Sequence, residues 1–131
     1  MPKAKLLIVD DEQDVVTRLS SFIAKKIDCL IEQAASGEEA LRKLENGAFD
    51  LAIMDIKMPG LSGIDVIRQA LKFSPQTKFL AISAYDSYEV AKEALDAGAI
   101  DFIHKPQTPE AIELKVKDIL SRIGKYEPKK S

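Results

Sequence analysis

Disulfide partners and zinc ligands are almost missing from this 131-residue sequence, which has a single cysteine, Cys29, and a single histidine, His104. One thiol cannot staple a fold, so burial must hold it together. A chain of this length can bury roughly two-thirds of its unfolded surface, which is enough without a bridge or a structural metal. No apolar run reaches the length of a membrane span, and no N-terminal stretch resembles a secretory signal. The expected location is therefore the cytoplasm, in keeping with the cysteine count. An excess of charge of one sign is also lacking. Nineteen Lys and Arg against twenty-one Asp and Glu give a net charge of −2, too even for a dedicated nucleic-acid binder. What is present, 46% hydrophobic and 31% charged residues, is the profile of one soluble globular domain.

The apolar residues alternate between short continuous runs and longer stretches with helical spacing, the mark of repeated strand and helix units. Leu6 to Val9, Leu51 to Met54 and Phe79 to Ile82 are unbroken, which predicts central parallel strands covered on both faces. Cys29 to Ala34 and Ile100 to Ile103 contain charged or polar residues and are expected at the edges. Val15, Val16, Leu19, Phe22 and Ile23 form one helical stripe, and Ile112, Val116, Ile119, Leu120 and Ile123 another. Ser36 to Glu39 and Asp86 to Glu89 have capping-box spacing, Thr108-Pro109 opens the last helix, and Gly47 and Gly98 stand where helices should stop. The order is βα five times over. It predicts an α/β fold, a doubly wound five-stranded parallel sheet with flavodoxin-like strand order 2-1-3-4-5. Residues 1–123 make the domain, and 124–131 read as a fraying basic tail or linker.

In such a fold ligands bind beyond the carboxyl ends of the strands, where the winding reverses. The residues there are Asp10 and Asp11, Asp55, Ser83 with Ala84, and Lys105 followed by Pro106. Three converging carboxylates repel one another and stay ionised most easily around a hard divalent cation. An all-oxygen set suits Mg2+ better than zinc. Lys105 can neutralise a phosphoryl group, and Ser83 with neighbouring backbone N–H groups can bond its oxygens. That leaves Asp55 as a nucleophile able to form an acyl phosphate. A bland alternative exists for the first pair, because an Asp pair after a strand is often a helix cap.

Together, Val9-Asp10-Asp11, Asp55-Ile56-Lys57-Met58-Pro59-Gly60 with Gly63, Ser83-Ala84 and Asp101-Phe102-Ile103-His104-Lys105-Pro106 resemble the receiver domain of two-component response regulators, over residues 5 to 123. The resemblance implies that Asp55 is the phosphoacceptor. It further implies that Asp11, Asp55 and the Lys57 backbone carbonyl bind Mg2+ directly, and Asp10 through water. Ser83, Ala84 and Lys105 would hold the phosphoryl group, the Lys105–Pro106 bond would be cis, and Ser83 with Phe102 would form the switch. The switched surface would be the face of the fourth helix, fifth strand and fifth helix. The implied partner is a histidine kinase or phosphotransfer protein docking near the first helix, with an output domain or protein downstream. Phosphorylation-dependent homodimerisation through the Phe102 face is compatible with the same resemblance.

Lys57 and Tyr85, each two residues beyond a site residue, are expected to obstruct water and slow self-dephosphorylation, although both could be plain solvated side chains. His104, Cys29, Met54 and Met58 read as surface or packing residues. A phosphohydrolase resembling the haloacid dehalogenases would need a second Asp where Lys57 stands, together with a cap insertion. A flavin phosphate would be repelled by Asp10-Asp11-Glu12. The remaining alternative is a degenerate receiver acting as a phosphorylation-independent docking module. The domain is not expected to be an enzyme in the turnover sense, since it would catalyse only its own phosphorylation and dephosphorylation.

Overall fold

A computed structural model describes residues 3–84, 88–105 and 108–130. Five strands, β1 (Ala4–Val9), β2 (Cys29–Ala34), β3 (Leu51–Asp55), β4 (Lys78–Ser83) and β5 (Asp101–His104), alternate with five helices. These are α1 (Gln13–Lys26), α2 (Gly37–Asn46), α3 (Gly63–Phe73), α4 (Tyr88–Ala97) and α5 (Pro109–Arg122). The strands form one parallel sheet in the order β2-β1-β3-β4-β5. This is the expected doubly wound architecture.

The unbroken apolar runs follow from burial on both faces. Leu7, Val9, Ala52, Met54, Phe79 and Ala81 join the core beneath α2, α3 and α4. Their alternating neighbours Leu6, Ile8, Leu51, Ile53, Leu80 and Ile82 join a second core beneath α1 and α5. Each fully buried Leu, Ile or Phe contributes about 1.5–3 kcal/mol, so both cores act to keep the central strand ends in place. The edge strands are less covered, with Leu30 of β2 53% exposed.

Helix starts follow local chemistry. Ser36 accepts from the Glu39 N–H, Ser62 from the Asp65 N–H and Thr108 from the Ala111 N–H. Asp86 of the expected second capping box lies outside the described residues. Helix α1 is different: its N-cap is Glu12 and no side chain caps it. Asp10 instead accepts from the N–H of Glu12 itself, just before the helix, so the expected helix-cap reading of the Asp pair holds only in that Asp10 orders the turn into α1.

Within the segment expected to be a fraying tail or linker, residues 124–129 make defined contacts. Pro128 bridges Ile27 in antiparallel fashion, the Asp28 N–H donates to the Glu127 carbonyl, and the Lys129 N–H donates to the Lys26 carbonyl. Tyr126 packs against the α1/α5 core, and Lys125 and Lys129 face Asp50 and Asp28. An aromatic anchor and two acidic loop residues thus turn an apparently solvated basic tail into a clasp across the base of the domain.

Candidate functional site

The winding reverses at β1, whose neighbours are β2 on one side and β3 on the other. Val9 pairs with Met54 across that boundary, so the next residues along, Asp10 and Asp55, emerge side by side. Ser83 ends β4 opposite His104 of β5. That register delivers Lys105 to the same rim, where its N–H donates to the Ser83 carbonyl at 2.7 Å. Tertiary pairing thereby gathers the side chains that the sequence scatters.

Asp10 and Asp55 are buried, and Asp11 is exposed; carboxylate oxygens of all three lie within 4.8 Å of one another. The Lys105 ammonium donates to Asp10 Oδ2 at 2.8 Å and stands 3.7 Å from Asp55 Oδ2. Burial, and then the charge of Asp10, raises the pKa of Asp55 from 3.8 to about 7, more than Lys105 and the Lys57 N–H can offset. Burial works against the Lys105 ammonium as well, but its hydrogen bond to Asp10 and the charges of Asp55, Asp10 and Glu12 outweigh that and raise its pKa. Lys105 alone does not balance the negative charge of the three carboxylates at the rim.

That imbalance fits a divalent cation. All three residues offer hard carboxylate oxygens lying within 4.8 Å of one another, a donor set of the kind that hard divalent cations take.

A family model for the response regulator receiver domain matches residues 6–117. The chain belongs to this family. Chemotaxis protein CheY of Thermotoga maritima is 35% identical to the receiver domain over 121 residues, 92% of this chain and 98% of that protein. Transcriptional activator protein ExaE of Pseudomonas putida is 32% identical over 117 residues, 88% of this chain but 55% of that protein. The chain therefore spans about half of the latter relative and nearly all of the former. A solved CheY-like receiver domain protein from Methanospirillum hungatei JF-1 superposes with a TM-score of 0.87 at 32% identity, covering 94% of this chain and 98% of that one.

The remaining expected residues of the receiver domain fall as follows. Ser83 is fully buried at the end of β4, with Ala84 exposed beyond it. Lys57 is exposed, and its backbone N–H approaches Asp55 Oδ1 at 3.4 Å. Phe102 is half-buried and packs against the core beneath α2, α3 and α4. Tyr85 and Pro106, including the expected cis bond, lie outside the described residues. His104 places Nε2 3.2 Å from the Ala84 carbonyl. Burial, followed by the charge of Asp28, pushes the Cys29 thiol up to about 11, which suits an inert packing residue.

Sequence reasoning missed Glu12, whose N–H donates to Asp10 Oδ1 at 3.0 Å and fixes the direction of that carboxylate. The signal was present, since an Asp side chain commonly accepts from the N–H two residues on.

Proposed function

We propose that this receiver domain takes a phosphoryl group from a phosphohistidine of a histidine kinase or phosphotransfer protein onto Asp55, in the cytoplasm and with Mg2+. The convergence of Asp10, Asp11, Asp55 and Lys105 on one rim is the observation that carries the reading. A carboxylate oxygen of Asp55 attacks the phosphorus, an O–P bond forms, and the P–N bond to the donor breaks. The bonding pair stays on the imidazole nitrogen, which leaves neutral once protonated. Asp11, Asp55 and the Lys57 carbonyl would bind Mg2+ directly, and Asp10 through water; the ion supplies positive charge against the transferring oxygens. Lys105 neutralises a further oxygen, while Ser83 and the backbone at Ala84 donate hydrogen bonds. The donor supplies the group and the domain catalyses only its own modification, so this is not turnover.

A phosphoryl group of nearly two negative charges then biases Ser83 and Phe102, and with them the face of α4, β5 and α5. That face would address an output domain or protein, or a second phosphorylated copy. The kinase or phosphotransfer protein would dock beside α1, next to the rim. No role in membrane or nucleic-acid binding is assigned to this domain.

Intact mass after incubation with Mg2+ and acetyl phosphate tests the reading. One phosphoryl group is expected, requiring both Mg2+ and Asp55 and missing from Asp55→Asn. If no group is gained and beryllium fluoride fails to bind, the fold serves as a phosphorylation-independent docking module instead. The same assay followed in time tests Lys57 and Tyr85 as brakes on hydrolysis. The double variant Lys57→Ala with Tyr85→Ala should lose the group severalfold faster, and an unchanged decay would remove that role.

A further inference from the structure

Gly63, the first residue of α3, lies directly against the backbone that carries Asp55. A β-carbon on it would overlap the Asp55 carbonyl oxygen and come within 2.9 Å of Ile56 Cα and 3.0 Å of the Asp55 carbonyl carbon. All three are main-chain atoms, which cannot swing aside as the end of a side chain can. Backbone freedom is not the reason for glycine here, because Gly63 is not among the residues of positive φ. Space is the reason.

The contact closes a frame around the nucleophile. The Gly63 N–H donates to the Ile56 carbonyl at 3.0 Å, and the Ile56 N–H donates to the Ile82 carbonyl of β4 at 2.9 Å. The peptide after Asp55 is thus tied to β4 on one side and to the start of α3 on the other, with Gly63 Cα seated on the Asp55 carbonyl. Ser62 anchors that helix start by accepting from the Asp65 N–H. We propose that Gly63 is a positioning residue, whose lack of a side chain lets α3 clamp the end of β3 and aim the Asp55 carboxylate at Asp10 and Asp11. This rests on the reading of Asp55 as phosphoacceptor. A misplacement of even an ångström at a reacting group can cost about 100-fold.

A second helix start supplies the control. Gly37 also follows a capping serine and is crowded, though less severely: its β-carbon would meet the Leu61 carbonyl at 2.8 Å and Val66 Cγ2 at 2.9 Å, not Asp55. Gly63→Ala and Gly37→Ala are to be compared with wild type for fold by circular dichroism and amide NMR. Mg2+ affinity is then read by calorimetry, and phosphorylation rate with acetyl phosphate. Gly63→Ala should lose about 10–100-fold in both Mg2+ affinity and rate, while Gly37→Ala stays within a few-fold of wild type. Near-normal values for a folded Gly63→Ala, or an equal loss in Gly37→Ala, would overturn the proposal. Should Gly63→Ala not fold, the milder pair Ser62→Ala and Ser36→Ala decides. Only the former should lower affinity and rate, and equal behaviour of the two overturns the proposal. A wild type that binds Mg2+ yet takes no phosphoryl group defeats the phosphoacceptor reading alone, because the Mg2+ affinities still judge Gly63.

Discussion

Replacing Asp55 with Asn is expected to stabilise the fold at alkaline pH while abolishing phosphorylation. Asp55 is 5% exposed, shares the rim with Asp10 and Asp11, and has its lysine at 3.7 Å, farther than Asp10 has the same ammonium at 2.8 Å. Burial first, and then the Asp10 charge, lifts its pKa from 3.8 to about 7. At about 1.4 kcal/mol for each pKa unit, that rise bounds the penalty at roughly 4 kcal/mol, and relaxation of the rim leaves on the order of 2–4. The folded pKa lies above the unfolded one, so the unfolded chain releases this proton first as pH rises. Stability is therefore lost between about pH 4 and 7, and the penalty is complete above that window. Asn is neutral throughout, and its side-chain oxygen can still accept from the Lys57 N–H. The assay is urea unfolding of both proteins across this pH range with a chelator present. The advantage of Asp55→Asn should be near zero at about pH 4 and grow to its full size by about pH 8. A gap that does not change with pH, or a variant weaker than wild type at the alkaline end, would refute the electrostatic account of the rim.

Mg2+ should relieve the same repulsion, raising wild-type stability by about 1.4 kcal/mol for every tenfold of concentration above its dissociation constant. Asp11→Asn should blunt that response in urea titrations, and an undiminished response would remove Asp11 from the ligand set. Ending the chain after Ile123 removes the packing of Tyr126 and the bridge of Pro128 to Ile27, which should cost on the order of 1–3 kcal/mol. Phosphorylation of Asp55 should continue unchanged in the truncated protein, and an unaltered urea midpoint would show that the clasp adds nothing to stability.

The strand cores were legible because they are covered on both faces, so Leu6 to Val9 or Phe79 to Ile82 needs no periodicity to declare itself. Their ends were less so: Lys78 and His104 extend β4 and β5 through pairing with neighbours, which no local pattern encodes. The rim residues were legible for a related reason, since polar groups just past buried runs must emerge at the sheet's carboxyl edge. What they do to one another was not, because Lys105 reaches Asp10 across 95 residues. The contacts of the basic tail were hidden for the converse reason. Its lysines read as solvated because their partners, Asp28 and Asp50, sit in distant loops. Gly63 sends no turn signal, as its φ is ordinary and only the Asp55 backbone makes a side chain there intolerable. The same distinction separates two neighbours that the sequence presents as a pair. Asp10 is buried and bonded to Lys105, whereas Asp11 is exposed. A cation entering the rim would therefore meet an ammonium already bonded to Asp10, whereas the exposed carboxylate of Asp11 has no such bond to Lys105, so two residues adjacent in sequence present unlike electrostatic surroundings.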